Sequence, residues 1–376
     1  MPQFEVSEGI ARGHPDKIAD QISDAFLDAC LQEDPSSRVE VETMVSHDLV
    51  AIGGEVTTAA HLNIEKIVTQ VLHEIGDGTL GVEEYLSRVH IISSLCEQSP
   101  EISSCVGSED DIPHLAAGDQ GMMYGYACTD TSTFMPRSYE IARAIVLQIQ
   151  EERASRRAPF LGTDGKTQVA IDLSAKDSGS VIVSWQHSAT ASFDEVHTAL
   201  CAAVKKVTEN YRFYPAAILI NPSGSFVLGG PLADTGLTGR KQIADSYGSS
   251  IRHGGGAYSG KDGTKVDRSG AYMARYVAKH IVAAGLATRC EVQLIYSIGR
   301  CLPLNIGVDC FGTEKIPLDA IEKAIRGTFD FSVGSIIQEL QLTTPFFRKT
   351  AFGGHFGREE FPWEKLPRIN DLQRWL

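Results

Sequence analysis

One order of secondary-structure elements recurs along the 376-residue chain and restricts what it can fold into. Apolar residues at helical spacing predict a helix over about 15–33, and alternating residues around a polar turn at 46–48 predict a hairpin, followed by a second helix and a short strand. The same order returns from a helix over 137–153, and once more, as helix, two strands and helix, from 267–286. A period of about 120–130 residues is far longer than the period of a solenoid repeat.

This recurrence predicts an α+β fold of three structurally similar units, an internal pseudo-threefold repeat in which each unit is a small, mainly antiparallel sheet with helices on one face. We place the units at 1–98, 112–230 and 231–376. The segment between them, 99–111, has Pro, Gly, Ser and acidic residues without periodicity, and is either a plain linker or a mobile loop at an active site. The strands lack the β-α-β alternation of a doubly wound sheet, which argues against a Rossmann fold and a P-loop fold.

Charge and composition exclude several classes of protein. The net charge of −14 argues against a general nucleic-acid surface, so any polyanion site must be a local basic pocket. The first ten residues lack the basic and apolar regions of a signal peptide, and no apolar run approaches the length that spans a bilayer. The eight cysteines are scattered without metal-ligand spacing, as expected of free or buried thiols. We therefore expect a cytoplasmic protein with no nucleic-acid or membrane partner.

A glycine-rich stretch at 254–269, "GGGAYSGKDGTKVDRS", has the spacing of a P-loop but carries Asp262 where that loop needs a hydroxyl. No buried strand is predicted before it, so we reject the P-loop interpretation. Lys261 and Lys265 could contact phosphate oxygens, and Asp267 could hold a metal that the phosphates share. With Arg240 and Lys241 upstream, positions 240–268 hold six Lys/Arg, which indicates an anion pocket for several phosphates; the alternative is a glycine-rich surface turn.

The motif "GHPDK" places His14 and Asp16 at the start of the first predicted helix, where backbone N–H groups favour anions. Asp16 could hold Mg²⁺ and His14 could donate to a leaving oxygen, although an N-capping cluster explains the motif equally well. From the residues alone, the chain is an enzyme or a binding protein that holds a polyphosphate with Lys/Arg side chains and Mg²⁺ carboxylates. The second substrate stays open at this point.

Seven stretches together resemble the S-adenosylmethionine synthetase (methionine adenosyltransferase) family, in family order and over nearly the whole chain. They are "GHPDKIADQISDAFLDA", "GGEVTT", "QSPEI", "GDQGMMYGYA", "INPSGSFVLGGPLADTGLTGRK", "GGGAYSGKDGTKVDRS" and "GHFGREEFPWE". The resemblance implies three related α+β units and a homodimer or homotetramer with each active site at a subunit interface. It also identifies 99–111 with the family's mobile loop.

The resemblance further implies a reaction between ATP and L-methionine. The methionine sulfur attacks C5′ of ATP and expels the triphosphate, which is then hydrolysed to pyrophosphate and phosphate. Two Mg²⁺ ions per site and K⁺ are the implied cofactors.

Roles for individual residues follow from the resemblance. Catalytic roles fall to His14, Lys166, Arg240 and Lys261. The ATP site would comprise these four with Asp164, Ser225, Phe226, Asp234, Lys241 and Ala257. Methionine would be surrounded by Glu55, Gln98, Asp119, Asp234 and Lys265. Asp16 and Asp267 would bind Mg²⁺, and Glu42 would bind K⁺.

Several positions depart from the family pattern, among them the stretch "SIGRCLPLN", which differs from the usual A-I-G-V-x-x-P. Arg12 replaces a Glu near the proposed metal site, Ala116 replaces a Gly, and Ser225 stands where a basic residue is common. Two alternatives to an active synthetase therefore stay open. One is a weakened paralogue that binds ATP or S-adenosylmethionine as a regulatory subunit, and the other is an enzyme that keeps only the tripolyphosphatase activity.

Overall fold

The structure, a computed structural model, describes residues 4–76, 82–107, 114–175 and 177–376. Its strands are β1 (Phe4–Ile10), β2 (Arg38–Ser46), β3 (Leu49–Thr57), β4 (His90–Cys96), β5 (Gly121–Cys128), β6 (Leu161–Asp172), β7 (Gly179–His187), β8 (Ala217–Ile220), β9 (Gly236–Leu237), β10 (Arg289–Tyr296) and β11 (Asn305–Asp309). Its α-helices are α1 (Pro15–Glu33), α2 (Ile64–Gly76), α3 (Val82–Arg88), α4 (Pro100–Val106), α5 (Arg137–Ala154), α6 (Phe193–Asn210), α7 (Gln242–Asp245), α8 (Val266–Ala283), α9 (Leu318–Thr328), α10 (Val333–Glu339) and α11 (Ile369–Gln373).

Within the described residues the strands form three small sheets, with the orders β4-β3-β2-β9, β1-β6-β7-β8 and β11-β10-β5. Most neighbours are antiparallel, and only β3–β4 and β7–β8 are parallel. The predicted α+β class with mainly antiparallel sheets is therefore confirmed. The boundaries at 1–98, 112–230 and 231–376 stay a prediction, and residues 108–111 of the predicted loop lie outside the described residues.

Each sheet is completed by a strand from another third of the chain. β9 joins the sheet of β2–β4, β1 joins the sheet of β6–β8, and β5 joins the sheet of β10 and β11. None of these three strands was predicted, because the sequence patterns used report local periodicity and not the remote edge with which a strand pairs. The three units are thus interleaved and not strung in series.

Helix α1 has the bounds predicted from the sequence, 15–33. Pro15 occupies the first helical position, where its missing N–H removes no bond, and the Asp16 N–H donates to His14 Nδ1 at 3.2 Å. Ile18, Ile22 and Phe26 are buried in the main core. The apolar side of the helix therefore packs into the main core.

Four aspartates at four-residue intervals, which we call the aspartate ladder, follow a second face of α1. Each accepts a backbone N–H from the C-terminal third: Asp16 from Leu237 (2.9 Å), Asp20 from Gly239 (2.8 Å), Asp24 from Gly260 (2.8 Å), and Asp28 from Phe347 (2.8 Å) and Arg348 (2.9 Å). Charge-assisted bonds of this kind are stronger than neutral ones. The ladder thus fastens two glycine-containing loops to one rigid helix.

A second buried ionic group attaches the C-terminal segment to α8. Arg275 and Glu364 form a bidentate pair at 2.9 and 3.0 Å with both side chains fully buried. Lys279 also donates to Glu364, at 2.8 Å, and Arg275 donates further to backbone carbonyls at Tyr126, Thr133 and Phe134. Glu364 is thus the counter-ion of two cations.

Replacing Glu364 with Ala should therefore destabilise the protein severely. Removing one partner of a buried ion pair strands the other charge, and such changes cost about 3–5 kcal/mol of unfolding free energy. The matched control is Asp319→Ala, which breaks a pair with Lys323 whose side chains are each 70 % exposed, and should cost less than about 1 kcal/mol. Urea unfolding midpoints measure both; equal midpoints for the two variants would contradict this account.

Candidate active site

One cluster of charged residues gathers around the carboxylate of Asp16, at the first turn of α1. Lys241 Nζ is hydrogen-bonded to Asp16 Oδ2, Arg240 Nη1 lies 3.7 Å from Oδ1, and His14 Nδ1 lies 3.8 Å from Oδ2. Asp16 itself is 2 % exposed, whereas the Arg240 side chain is 51 % exposed. We call this group, with its neighbours below, the Asp16 cluster.

Three further predicted residues lie beside Asp16. The pairing of β6 with β1 sets Lys166 opposite Ile10, near the start of α1. Its Nζ lies 3.7 Å from Glu8 Oε1, and its positive charge lowers the pKa of His14. Asp164 accepts the Gly230 N–H at 2.8 Å, and the charges of Asp16 and Asp234 both act on it. Strand pairing and the 230–241 segment therefore bring residues from three distant stretches together.

The environment shifts the pKa values of this cluster. Burial, and then the charge of Lys241, lowers the pKa of His14 to about 4, so its imidazole is neutral at pH 7. Burial alone would raise the pKa of Asp16, but hydrogen bonds from Lys241 and Leu237 outweigh it and hold the pKa below its usual value. Burial raises the pKa of Asp164 to about 6.

The remaining ATP-site candidates lie at the border of this cluster. Phe226 exchanges hydrogen bonds with His187, and Ser225 beside it is exposed. Gln186 links their segment to Asp164, since its amide contacts both the Asp164 N–H (3.3 Å) and the Val227 carbonyl (3.2 Å). Ala257 lies against Gly239: a Cβ added to Gly239 would come within 2.5 Å of the Ala257 Cβ.

A cleft of about 710 Å³ contains the predicted methionine residues. Glu55, Gln98, Asp119 and Lys265 line it, and so does Glu42, the predicted K⁺ ligand; Asp234 is placed in the Asp16 cluster instead. Ile102 of α4 also lines the cleft, so part of the predicted mobile segment borders it; residues 108–111 lie outside the described residues.

Lys261 and Asp267 lie at the edge of this cleft. Their side chains pair at 2.7 Å, and Lys261 also lies 3.4 Å from Glu40, which lines the cleft. Burial would lower the pKa of Lys261, but Asp267 and Glu40 raise it overall. The cleft therefore carries a charged lysine held by two carboxylates.

The structure gives Asp262 a role that the P-loop spacing did not suggest. Its carboxylate accepts the N–H groups of Val39 and Thr264, each at 2.7 Å, and Lys265 Nζ at 3.2 Å. No strand lies between Leu237 and Val266 in this fully described range, which agrees with rejecting the P-loop interpretation. Asp262 shapes the turn and directs Lys265 toward the cleft.

The predicted residues thus fall into two groups within one chain. His14, Lys166 and Arg240 lie in the Asp16 cluster, whereas Lys261 lies at the cleft. Among the described residues no hydrogen bond or ion pair joins a predicted residue of one group directly to a predicted residue of the other, although the N–H of Leu237, which lines the cleft, donates to Asp16 at 2.9 Å. Each group is incomplete by itself for the predicted reaction, because one holds most of the ATP candidates and the other most of the methionine candidates.

Sequence reasoning missed the residues that hold these groups in place. Asp20, Asp24 and Asp28 were not singled out, and neither was Lys17, a buried cation in the first turn of α1. A signal was present: α1 repeats an acidic residue every four positions next to an apolar face, and acidic residues that become buried in this way are unusual unless each is paired.

In the part of the chain that the structure describes, the candidate metal ligands, Asp16 and Asp267, do not belong to a cluster of carboxylates. No three His, Cys, Asp or Glu side chains within the described residues converge well enough to hold an ion. Asp16 and Asp267 each offer one carboxylate already paired with a lysine, which suits Mg²⁺ bound jointly by one or two carboxylates and substrate phosphates. All eight cysteines are free, and no described helix has the length and apolarity to cross a membrane.

Comparison with known proteins identifies the family. Residues 3–100, 114–226 and 228–365 match, in order, the N-terminal, central and C-terminal domains of S-adenosylmethionine synthetase. The chain therefore belongs to the S-adenosylmethionine synthetase family. This confirms the resemblance seen in the sequence and the predicted enzyme class, methionine adenosyltransferase.

Individual relatives agree over their whole length. The chain is similar to S-adenosylmethionine synthase 1 of Rhodospirillum rubrum, at 47% identity over 98% of this chain and 97% of that protein. It is 44% identical to the S-adenosylmethionine synthase of Treponema pallidum over 100% of this chain and 97% of that protein. The S-adenosylmethionine synthase of Pseudothermotoga lettingae is 43% identical over 100% and 99%.

The electrostatics of the Asp16 cluster make a testable prediction about His14. Its imidazole should titrate near pH 4. Lys241→Met should raise that midpoint, because it removes a positive charge that disfavours protonation of the imidazole, while the burial of the ring remains. The wild-type shift should also reduce stability as the pH falls from about 6.5 to 4, since the unfolded chain then binds the proton more readily.

Histidine ring NMR measures the midpoint, with His14→Gln to assign the signal. Lys323→Met is the control, since that lysine is exposed and lies on α9. A His14 midpoint unmoved by Lys241→Met would mean that the two groups are not electrostatic neighbours.

Proposed function

We propose that this protein makes S-adenosylmethionine from ATP and L-methionine by attack of the methionine sulfur on C5′ of ATP, and then hydrolyses the bound tripolyphosphate to pyrophosphate and phosphate. The observation that carries the proposal is the Asp16 cluster, in which Arg240 and Lys241 meet the Asp16 carboxylate and Lys166 lies close enough for its charge to act on the neighbouring His14. Two of these cations have half-exposed side chains, at 53 % for Lys166 and 51 % for Arg240, and so are available to a ligand.

The chemistry requires little proton transfer at the attacking atom. A thioether sulfur carries no proton, so catalysis consists of aligning sulfur with C5′ and stabilising the charge that builds on the triphosphate. Preset cations act most strongly on charge that develops during the reaction. The three cations around Asp16, joined by Lys261, are proposed to hold the phosphate chain.

His14 is suited to the leaving oxygen. Its Nδ1 accepts the Asp16 N–H, which leaves the proton of the neutral ring on Nε2. Nε2–H is then a hydrogen-bond donor, and we assign it to the O5′ side of the bond that breaks. A neutral donor also keeps net charge low beside the nearby lysines.

The proposed cofactors are two Mg²⁺ ions and K⁺. Asp16 and Asp267 would each hold Mg²⁺ together with phosphate oxygens, and Glu42 would hold K⁺ on the cleft wall, where Glu40 and Glu55 are its acidic neighbours. Bound Mg²⁺ would neutralise part of the negative charge on the leaving triphosphate. If a divalent ion bound these carboxylates, Lys241 and Lys261, which are now paired with them, would be free to contact the phosphates.

We further propose that two chains form each active site, as a homodimer or homotetramer. The division of the candidates into an Asp16 cluster and a cleft supports this, because a two-fold axis can bring the cluster of one chain to the cleft of its partner. The units 1–98, 112–230 and 231–376, a closing loop at 99–111, and a cytoplasmic location belong to the same proposal.

Mixing two inactive variants tests the shared site. Arg240→Ala damages the Asp16 cluster and Lys261→Ala damages the cleft. If each site takes one group from each chain, a mixed dimer has one intact site, and random reassembly restores about a quarter of wild-type activity. Refolding the variants together and assaying S-adenosylmethionine measures this. No recovery above either variant alone would show that each chain builds its own site.

Lys261→Ala in the homogeneous protein is predicted to lower kcat by about 10²–10³-fold, the usual loss when one preset donor to developing charge is removed. Lys323→Ala, at an exposed position of α9, is the control. Near-normal kcat for Lys261→Ala would remove this lysine from the mechanism.

One assay separates the proposal from its alternatives. The purified protein is incubated with ATP, methionine, Mg²⁺ and K⁺, and both S-adenosylmethionine and phosphate are measured. Both products support the proposal, phosphate alone indicates a tripolyphosphatase, and neither product indicates the regulatory subunit.

A further inference from the structure

The segment that carries Arg240 and Lys241 is held at both of its ends by one turn of α1. At its start, the Gly239 N–H donates to Asp20 Oδ1 at 2.8 Å. At its end, Asp245 accepts a hydrogen bond from Lys17 Nζ. Lys17 and Asp20 are themselves paired at 2.9 Å, so the two anchors are one connected group.

This group is buried, so its charged side chains have almost no contact with water. The side chains of Lys17, Asp20 and Asp245 are 1 %, 2 % and 10 % exposed. Buried pairs of this kind are weak evidence for stability, because desolvation offsets most of their attraction. Their geometry therefore points to a role other than general stabilisation.

The segment between the anchors has little freedom. Gly239 has φ of +78°, and an added Cβ would meet Ala257 Cβ at 2.5 Å, so its backbone is fixed against a second candidate of the ATP site. Lys241 then caps the short helix α7, which ends at Asp245. Five residues of the chain, 240–244, thus lie between two fixed points, and both cations proposed to bind phosphate are among them.

We propose that Lys17 and Asp20 are positioning residues for the transfer reaction: with Asp245 they hold residues 239–245 so that Arg240 and Lys241 meet the triphosphate in the geometry of the breaking bond. Neither touches the substrate. The inference rests on the proposed function and extends it to residues outside the cluster itself.

Asp20→Ala tests the first anchor and Asp245→Ala the second. Lys17 keeps one aspartate in either variant, so no buried charge is left without a partner and both variants should fold. Misplacing a group by about 1 Å can cost about 10²-fold in rate, so we expect kcat to fall by roughly 10–100-fold. Affinity for inorganic tripolyphosphate with Mg²⁺ should fall similarly, whereas KM for methionine should stay within about twofold, because the methionine candidates that line the cleft, Glu55, Gln98, Asp119 and Lys265, lie outside the 239–245 segment.

The matched control is Asp28→Ala. Asp28 belongs to the same ladder and accepts two N–H groups, but it holds residues 347 and 348, which carry no proposed site residue. It should lower the melting temperature without changing kcat or tripolyphosphate affinity. Asp20→Asn is the partial rescue: its amide oxygen can still accept the Gly239 N–H, but its NH2 group would face the Lys17 ammonium, so it should recover only part of the loss.

The outcomes are distinct. If the active wild-type protein, Asp20→Ala and Asp28→Ala have the same kcat and tripolyphosphate affinity, the positioning role is wrong. Equal losses in Asp20→Ala and Asp28→Ala also overturn it, since a general structural effect would then suffice. A wild-type protein that makes no S-adenosylmethionine contradicts the proposed function instead.

Discussion

Four carboxylates on one face of α1 are the constraint on which the rest of this site depends. Loops rich in glycine have no fixed shape of their own, and Arg240 and Lys261 are carried on such loops. The ladder from Asp16 to Asp28 converts them into rigid structure by accepting their backbone N–H groups. The helix spaces these acceptors regularly. The loop that carries Arg240 is therefore held at Asp16 and Asp20, and the loop that carries Lys261 is held one turn further along, at Asp24.

The charges of the site are balanced before any substrate arrives. Lys241 is paired with Asp16 and Lys261 with Asp267, so each cation that could face a phosphate already has an anionic neighbour. An acidic protein with a net charge of −14 can thus keep a strongly basic pocket without a large field around it. Under the proposed function, a polyanion bound with divalent ions would exchange partners with these pairs within the pocket.

Much of this could be predicted from the sequence, and the failures have a common cause. Local periodicity gave α1 with its bounds at Pro15 and Glu33, the turn between β2 and β3, and the sheet class. It predicted neither the strands β1, β5 and β9, each of which joins the sheet of another third of the chain, nor the division of the candidate residues between the Asp16 cluster and the cleft. Both depend on which distant segments meet. Asp20 was overlooked for a related reason: its partner, Gly239, lies more than two hundred residues away.

The strands that join the sheet of another third of the chain also limit which parts of the chain can be removed or replaced. Since β1, β5 and β9 each complete a sheet formed by a different third of the chain, no third carries a finished sheet of its own. A fragment cut at either boundary would leave open edges on both pieces. The protein is therefore indivisible despite its repetitive plan, and a lineage that began by triplicating one module could not later shed or swap a copy without losing the other two.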